Sequence, residues 1–367
     1  MFSVEDHTFM SQALRLAAHG LYSTDPNPRV GCVIVRDGAV VGKGWHRAAG
    51  EPHAEAHALE DAGENARGAT AYVTLEPCSH YGRTPPCVDA LINAGISRVV
   101  VAAQDPSPKV AGQGLARLKM QGVAVELGLM QKQAVQLNSG FISRFSRGRP
   151  YVRAKLAMSL DGRTSMANGE SKWITSEAAR DDVQRLRARS SVIVTGIGTV
   201  LADNPRMNAR IHADVIQPDR VVVDTNLRMP SDAAMFKQTG LTWLANCSRD
   251  ERLRSRLQQA GARLLDLPTH NGTIDLHALL SALSDLEYNE VLVEAGPTLS
   301  GAFMQAGLID ELIIYQAPHL MGDGGSPLMY LPSIQSMQNR LELKMTELRY
   351  VGNDLRLSYE LVDRKSN

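Results

Sequence analysis

The chain has 367 residues, with 39 basic side chains, 39 acidic ones and four cysteines. Cancelling charge excludes a global field for nucleic acid or an anionic membrane, and four cysteines are too few for a disulfide framework, which points to a reducing compartment. No run approaches the roughly 20 apolar residues that span a bilayer. The length suits two domains, and the opening residues, acidic at Glu5 and Asp6, do not read as a secretory leader. A cytoplasmic protein is expected.

In chain order, Phe9, Met10, Ala13, Leu14, Leu16 and Ala17 recur at helical spacing, with Gly20 placed as a C-cap. Asp25-Pro26-Asn27-Pro28 forces an extended turn, because each proline restricts the residue before it. That turn either presents Asn27 to a ligand or uses it in an Asx-turn. Residues 30–35, Asp37-Gly38 and 40–45 read as a hairpin. A helix over 53–63, a strand over 71–75, a helix over 87–95, a strand over 98–103, a helix over 114–121 and a strand over 123–127 follow. This alternation predicts an α/β layer on a mainly parallel sheet. Cys78 is expected to close a strand and Cys87 to open a helix, at the carboxyl edge where α/β proteins hold ligands.

Ser146-Arg147-Gly148-Arg149-Pro150 breaks the pattern and divides the chain into domains 1–147 and 148–367. The second starts with a strand over 154–160 and an Asp161-Gly162 turn. A helix over 177–189, strands over 192–195, 220–224 and 241–245, a helix over 249–260, a strand over 263–267 and a helix over 276–283 come next. A strand from Val291 runs into the glycine turn Glu294-Ala295-Gly296-Pro297-Thr298, and strands over 312–317 and 355–361 end the list. Thr195-Gly196-Ile197-Gly198-Thr199 and Glu294-Ala295-Gly296-Pro297-Thr298-Leu299 are strand-to-helix turns whose free N–H groups suit dinucleotide phosphates. Neither is a G-x-G-x-x-G fingerprint. Arg180, Arg187, Arg189 and Arg210 supply either a phosphate clamp or a solvated helix face.

The chemistry concentrates in His53-Ala54-Glu55 and Pro77-Cys78…Pro86-Cys87. One imidazole and two thiols suit tetrahedral zinc with an open fourth position, and Glu55 is placed to take a proton from water there. H-x-E…P-C-x-x-C marks zinc nucleobase deaminases, although eight residues, 79–86, separate these cysteines instead of two. His53 and His57 have the i, i+4 spacing of a H-E-x-x-H hydrolase, but Ala54 stands where that motif needs its glutamate. On an ideal helix Glu55 would point about 200° from His53, so both face one metal only at a helix start, which Pro52 supports. A structural zinc would be closed by four ligands and would have no use for Glu55. The polar loop 79–84, with Arg83, is either a cover for an anionic substrate or a solvated loop.

Nearly the whole chain resembles the bifunctional riboflavin-biosynthesis deaminase–reductases. The resemblance rests on Asn27-Pro28-Arg29-Val30-Gly31, His53-Ala54-Glu55, Thr74-Leu75-Glu76-Pro77-Cys78-Ser79-His80 and Gly82-Arg83-Thr84-Pro85-Pro86-Cys87. In the second half it rests on Ser159-Leu160-Asp161-Gly162-Arg163, Glu170-Ser171-Lys172-Trp173-Ile174-Thr175 and Val293-Glu294-Ala295-Gly296-Pro297-Thr298. It implies a cytidine-deaminase-like α/β/α zinc domain followed by a dihydrofolate-reductase-like α/β domain using NADPH. It implies zinc ligands His53, Cys78 and Cys87, with Glu55 as the catalytic proton shuttle and Asn27 at the substrate. Ala157, Trp173, Thr199, Asp203, Thr225 and the run Gly296, Pro297, Thr298, Leu299, Ser300, Gly301 and Ala302 would line the cofactor. Ser171, Arg187, Met207, Arg210 and Glu294 would line the second substrate. Close relatives often carry Gly at the position of Ala157 and Leu at that of Met207. The expected partners are small phosphoribosyl pyrimidines and further copies of the chain in a homo-oligomer (dimer or tetramer), with no nucleic acid or membrane.

Overall fold

A computed structural model describes residues 1–79, 86–108 and 110–362, which form two compact units, Met1–Gly148 and Arg149–Asn367. The predicted covering loop lies mostly outside the described residues, since 80–85 are not among them.

The first unit opens with α1 (Val4–Ala18), which starts where Ser3 and Asp6 cap each other's backbone N–H groups. Strands β1 (Gly31–Arg36) and β2 (Ala39–Trp45) form the expected hairpin, with Asp37 and Gly38 both at positive φ, as a tight two-residue turn needs. Then come α2 (Ala54–Ala62), β3 (Thr70–Val73), α3 (Cys87–Asn93), β4 (Arg98–Val101), α4 (Gln113–Met120) and β5 (Ala124–Leu127). Two helices the sequence reading lacked, α5 (Gln131–Leu137) and α6 (Ser139–Arg147), complete the unit.

The sheet order is β2-β1-β3-β4-β5. Only β3/β4 and β4/β5 pair in parallel, while β1 runs antiparallel to both β2 and β3. The sheet is therefore mixed rather than mainly parallel, because the hairpin inserts β1 between its own partner and β3. Alternation along β1 sends Cys32 and Ile34 into one apolar cluster with α2, and Val33 and Val35 into another with α1. That is a three-layer α/β/α arrangement. Gly31 is required here, since a Cβ would lie 2.0 Å from the Ala13 carbonyl oxygen.

The second unit contains β6 (Tyr151–Met158), α7 (Glu177–Arg189), β7 (Val192–Gly196), α8 (Ile197–Asp203), β8 (Asp219–Val223) and β9 (Thr242–Asn246). It continues with α9 (Glu251–Gln259), β10 (Ala262–Asp266), the small hairpin β11 (Thr269–His270) and β12 (Thr273–Ile274), α10 (Leu276–Asp285), β13 (Glu290–Val293) and α11 (Pro297–Gln305). Strands β14 (Glu311–Gln316), β15 (Leu343–Val351) and β16 (Asp354–Leu361) close it. Nine strands order as β10-β9-β8-β7-β13-β6-β14-β16-β15, parallel from β10 to β14 and antiparallel beyond. Valines 192 and 194 face one core cluster and Ile193 the other, as in a sheet covered on both faces. The parallel strands point their carboxyl ends at the two glycine turns. Among the described residues, no helix is long and apolar enough to cross a membrane.

Candidate active sites

In the first unit, His53 is the N-cap of α2 with extended backbone (φ −74°, ψ 166°), so it stands off the helical wheel that carries Glu55. That removes the 200° conflict, and the two side chains share one side of the helix start. Cys87 opens α3 as expected. Cys78 does not close a strand: β3 ends at Val73, and Cys78 sits in the loop beyond it.

The His53, Cys78 and Cys87 donor atoms nevertheless lie within 4.8 Å of one another. His53 Nδ1 is 3.3 Å from Cys87 Sγ and 3.5 Å from Cys78 Sγ, and the Cys87 N–H donates to Cys78 Sγ at 3.3 Å. One nitrogen and two sulfurs converging from three chain segments fit zinc, and among the described residues no fourth donor joins them.

The electrostatics agree. Contact with Cys87, opposed by burial and helped by His53, holds the Cys78 thiol well below its usual range, while the Cys78 contact and burial push Cys87 up. Burial raises the Glu55 carboxyl and the Cys78 charge raises it further, against the pull of His53. A carboxyl raised in this way is matched to moving protons near neutral pH.

Asn27 lies at the same edge through a residue the sequence reading missed. Its side-chain amide donates to His46 Nε2 at 3.1 Å, and His46 Nδ1–H donates to the Pro52 carbonyl at 3.2 Å, next to His53. These partners assign the neutral Nδ1–H tautomer of a buried ring. The only signal in sequence was a histidine just past the end of β2.

In the second unit, Arg187 on α7 holds Glu294 in a two-point ion pair, Nε to Oε1 at 2.6 Å and Nη2 to Oε2 at 2.8 Å. Its Nη1 donates to the Asn208 carbonyl at 3.3 Å, and Met207 Sδ lies 3.8 Å from Nη2. Arg210 joins through Asn208, whose Oδ1 accepts from its Nη1 at 2.5 Å. The structure thus gathers Arg187, Met207, Arg210 and Glu294. Ser171 lies on the segment between β6 and α7, and among the described residues no hydrogen bond or ion pair ties it to that group.

Lys155, also missed, belongs with it. Burial lowers its pKa, and it feels Glu294 and Arg187 from β6. A lysine inside the otherwise apolar stretch 154–158 was the available signal.

The expected cofactor residues are distributed along the carboxyl ends of the parallel strands. Ala157 is on β6, Thr199 and Asp203 are on α8, and Thr225 follows β8. Asp203 pairs with Lys172 Nζ at 3.0 Å, and Trp173 is 69% exposed with the Arg180 guanidinium 4.6 Å above its ring. Gly296 is the N-cap of α11, no side chain caps that helix, and Pro297 takes its first turn. A Cβ on Gly198 or Gly296 would meet nothing within 4 Å. Open space beside uncapped N–H groups fits the phosphates of a dinucleotide. Further along the run, Ser300 is fully buried, and a Cβ on Gly301 would lie 2.2 Å from the Tyr330 carbonyl oxygen, so these two pack the helix.

A converging His-Cys-Cys group with a buried carboxyl beside it, on a mixed sheet in a three-layer unit, defines a zinc-dependent deaminase. The second unit, a largely parallel sheet with open glycine turns, is built as a dinucleotide-dependent reductase. The pattern described as "Cytidine and deoxycytidylate deaminase zinc-binding region" matches residues 3–103, and that described as "RibD C-terminal domain" matches 150–357. The riboflavin biosynthesis protein RibD of Escherichia coli K12 is 50% identical over 364 residues, covering 96% of this chain and 98% of its own. The solved structure of Acinetobacter baumannii RibD is 46% identical with a TM-score of 0.91, covering 98% of this chain and 99% of that one. A Thermotoga maritima structure described as a diaminohydroxyphosphoribosylaminopyrimidine deaminase and 5-amino-6-(5-phosphoribosylamino)uracil reductase is 29% identical, with a TM-score of 0.85 over 98% of this chain and 99% of that one. The chain belongs to the RibD family of riboflavin biosynthesis proteins.

Proposed function

We propose that the chain catalyses two consecutive steps of riboflavin biosynthesis. The first is hydrolytic deamination of 2,5-diamino-6-(ribosylamino)-4(3H)-pyrimidinone 5′-phosphate. The second is NADPH-dependent reduction of the ribosyl side chain of 5-amino-6-(5-phosphoribosylamino)uracil to ribityl. The observation that carries the reading is the convergence of His53, Cys78 and Cys87 beside the buried Glu55. Residues 1–147 form the deaminase domain and 148–367 the reductase domain. Two of the four thiols would be taken by the metal and none of the four is paired in a disulfide, which supports a reducing, cytoplasmic setting.

His53, Cys78 and Cys87 would hold the zinc. Zinc held there supplies Lewis acidity, which makes water a usable nucleophile at neutral pH. Glu55 accepts one proton of the attacking water on its carboxylate and passes it to the ring nitrogen, then takes the remaining hydroxyl proton and passes it to the departing amine, so that a carbonyl C–O bond replaces the C–N bond and ammonia leaves. Asn27, held by His46, orients the pyrimidine. In the second unit Trp173, Thr199, Asp203, Thr225 and the 296–302 run would hold NADPH, which supplies the hydride. Ser171, Arg187, Met207, Arg210 and Glu294 orient the phosphoribosyl substrate, with Lys155 on β6 beside the Arg187–Glu294 pair.

Cys78→Ser tests the assignment against Cys32→Ser, which alters a buried packing thiol on β1. The first is expected to purify without its zinc and release no ammonia, yet still reduce supplied uracil intermediate. The second is expected to keep a full equivalent. Retention of full zinc by Cys78→Ser would show that the ligand set is misassigned. Zinc loss should also rise on acidification, because thiolates and imidazole bind only when deprotonated.

A homo-oligomer is supported by β15, the sheet's edge. Leu343, Met345, Leu348 and Tyr350 are all exposed, and a bulge between Met345 and Glu347 keeps them in register with Leu361, Tyr359, Leu357 and Leu355 of β16. An apolar sheet face of this kind marks an interface. Leu348→Asp together with Tyr350→Asp should shift the native mass, read by light scattering, to that of the monomer. An unchanged mass would place the interface elsewhere.

A further inference from the structure

We propose that α4 is a bracket that sets the separation of the two thiol ligands, with Glu76 as its principal positioning residue. Glu76 lies two residues before Cys78 and is buried, and among the described residues it has no cationic partner. Its charge is met by four backbone N–H groups. Oε1 accepts from Gly114 at 3.0 Å and Leu115 at 3.3 Å, while Oε2 accepts from Gly112 at 3.0 Å and Asp105 at 3.3 Å. No side chain of α4's own segment caps the helix, whose N-cap is Gly112. The carboxylate of Glu76, on the loop that follows β3, does so instead, favoured by the helix's positive pole.

The grip is close. A Cβ on Gly114 would lie 2.4 Å from the Pro77 carbonyl oxygen, so the helix start rests directly on the chain entering Cys78. One turn later, Arg117 ion-pairs with Asp89 of α3 at 2.6 Å and reaches the Ser79 carbonyl at 3.5 Å. Helix α4 therefore holds the chain before Cys78, the residue after it and the helix that Cys87 opens. Ligand pairs held by such supports bind metal more tightly, and losing one support costs about 10–100-fold in affinity. A glutamine would keep one good acceptor oxygen and turn its NH2 toward N–H donors.

The proposal rests on the zinc reading, and one set of measurements separates the two. Zinc affinity is read by competition with a chromophoric chelator, and melting temperature is read with and without zinc. Wild type should bind one zinc and melt higher with it, since a ligand bound only by the folded state stabilises it. Glu76→Gln should bind zinc about 10–100-fold more weakly and narrow the gap between loaded and zinc-free melting temperatures. Its reduction of supplied uracil intermediate should be unchanged. Arg117→Met and Gly114→Ala should act in the same direction, and they carry the test if Glu76→Gln does not fold. If wild type binds no zinc, the zinc reading fails. If wild type binds it and the folded variants keep the same affinity and the same gap, with both melting points merely lowered together, Glu76 and α4 are structural only and the proposal is overturned.

Discussion

Glu55→Gln is expected to keep its zinc, stop releasing ammonia and still reduce the supplied uracil intermediate. Glutamine preserves the shape of the buried side chain but cannot accept a proton, and loss of a general base costs about 10²–10⁴ or more. His53, Cys78 and Cys87 are untouched, so zinc content should stay at one equivalent. With the diaminopyrimidinone as the only substrate, NADPH oxidation should also stop, because the second site is starved. The motivation is the division of residues: every proposed zinc ligand falls in the first unit and every proposed cofactor residue in the second. A folded, zinc-loaded Glu55→Gln protein unable to reduce the supplied intermediate would sink the idea of two separable sites.

Truncating Arg187 and Arg210 should give two different losses. Arg210 is exposed, anchored through Asn208, and free to meet a phosphate. Its replacement by alanine should lower reductase kcat/KM by about 1.5–3 kcal/mol, the worth of a charged hydrogen bond. That loss should nearly vanish with a dephosphorylated substrate. Arg187 is committed to Glu294. Burial disfavours charge on both, yet the Arg187 guanidinium overrides it and holds the Glu294 carboxyl below its usual range. Arg187→Ala takes the hydrogen-bonded cation from a buried carboxylate, a loss of about 3–5 kcal/mol in folding stability, and whatever activity goes with it should be lost with either substrate. Equal behaviour of the two variants on both substrates would refute this division of roles.

The pair also has a pH signature. Because the folded Glu294 pKa is depressed, its contribution to stability is present above the unfolded value of about 4.3 and is lost as pH falls through the folded one. Acid unfolding of Arg187→Ala, followed by circular dichroism, should lack that component.

Much of the first site was legible because its signals are local. Pro52 and His53 announce a helix start, and Pro86-Cys87 announces another, so the positions of His53, Glu55 and Cys87 follow from helix-terminus chemistry. Cys78 was misplaced, since β3 stops at Val73 and the chain reaches the metal through a loop held by contacts 29 to 39 residues away in sequence. No local pattern encodes those contacts. The mixed sheet was hidden for a related reason: a hairpin is visible in sequence, but its insertion beside β3 is a tertiary choice.

Helix α7 was read at its true ends because Ser176 caps it and its apolar spacing is regular. Strand β15 was missed because the bulge at its centre breaks the alternation that marks a strand. In the second site the glycine turns were legible as local backbone chemistry. The Arg187–Glu294 pair, 107 residues apart, and the proximity of Lys155 to it were not.

The most direct measurement is the stoichiometry of one reaction, with purified chain, the diaminopyrimidinone phosphate and NADPH, following ammonia and NADPH together. The account predicts one ammonia released for each NADPH consumed, with ammonia appearing first. NADPH consumption without ammonia, or ammonia release with no NADPH consumed at completion, would contradict it.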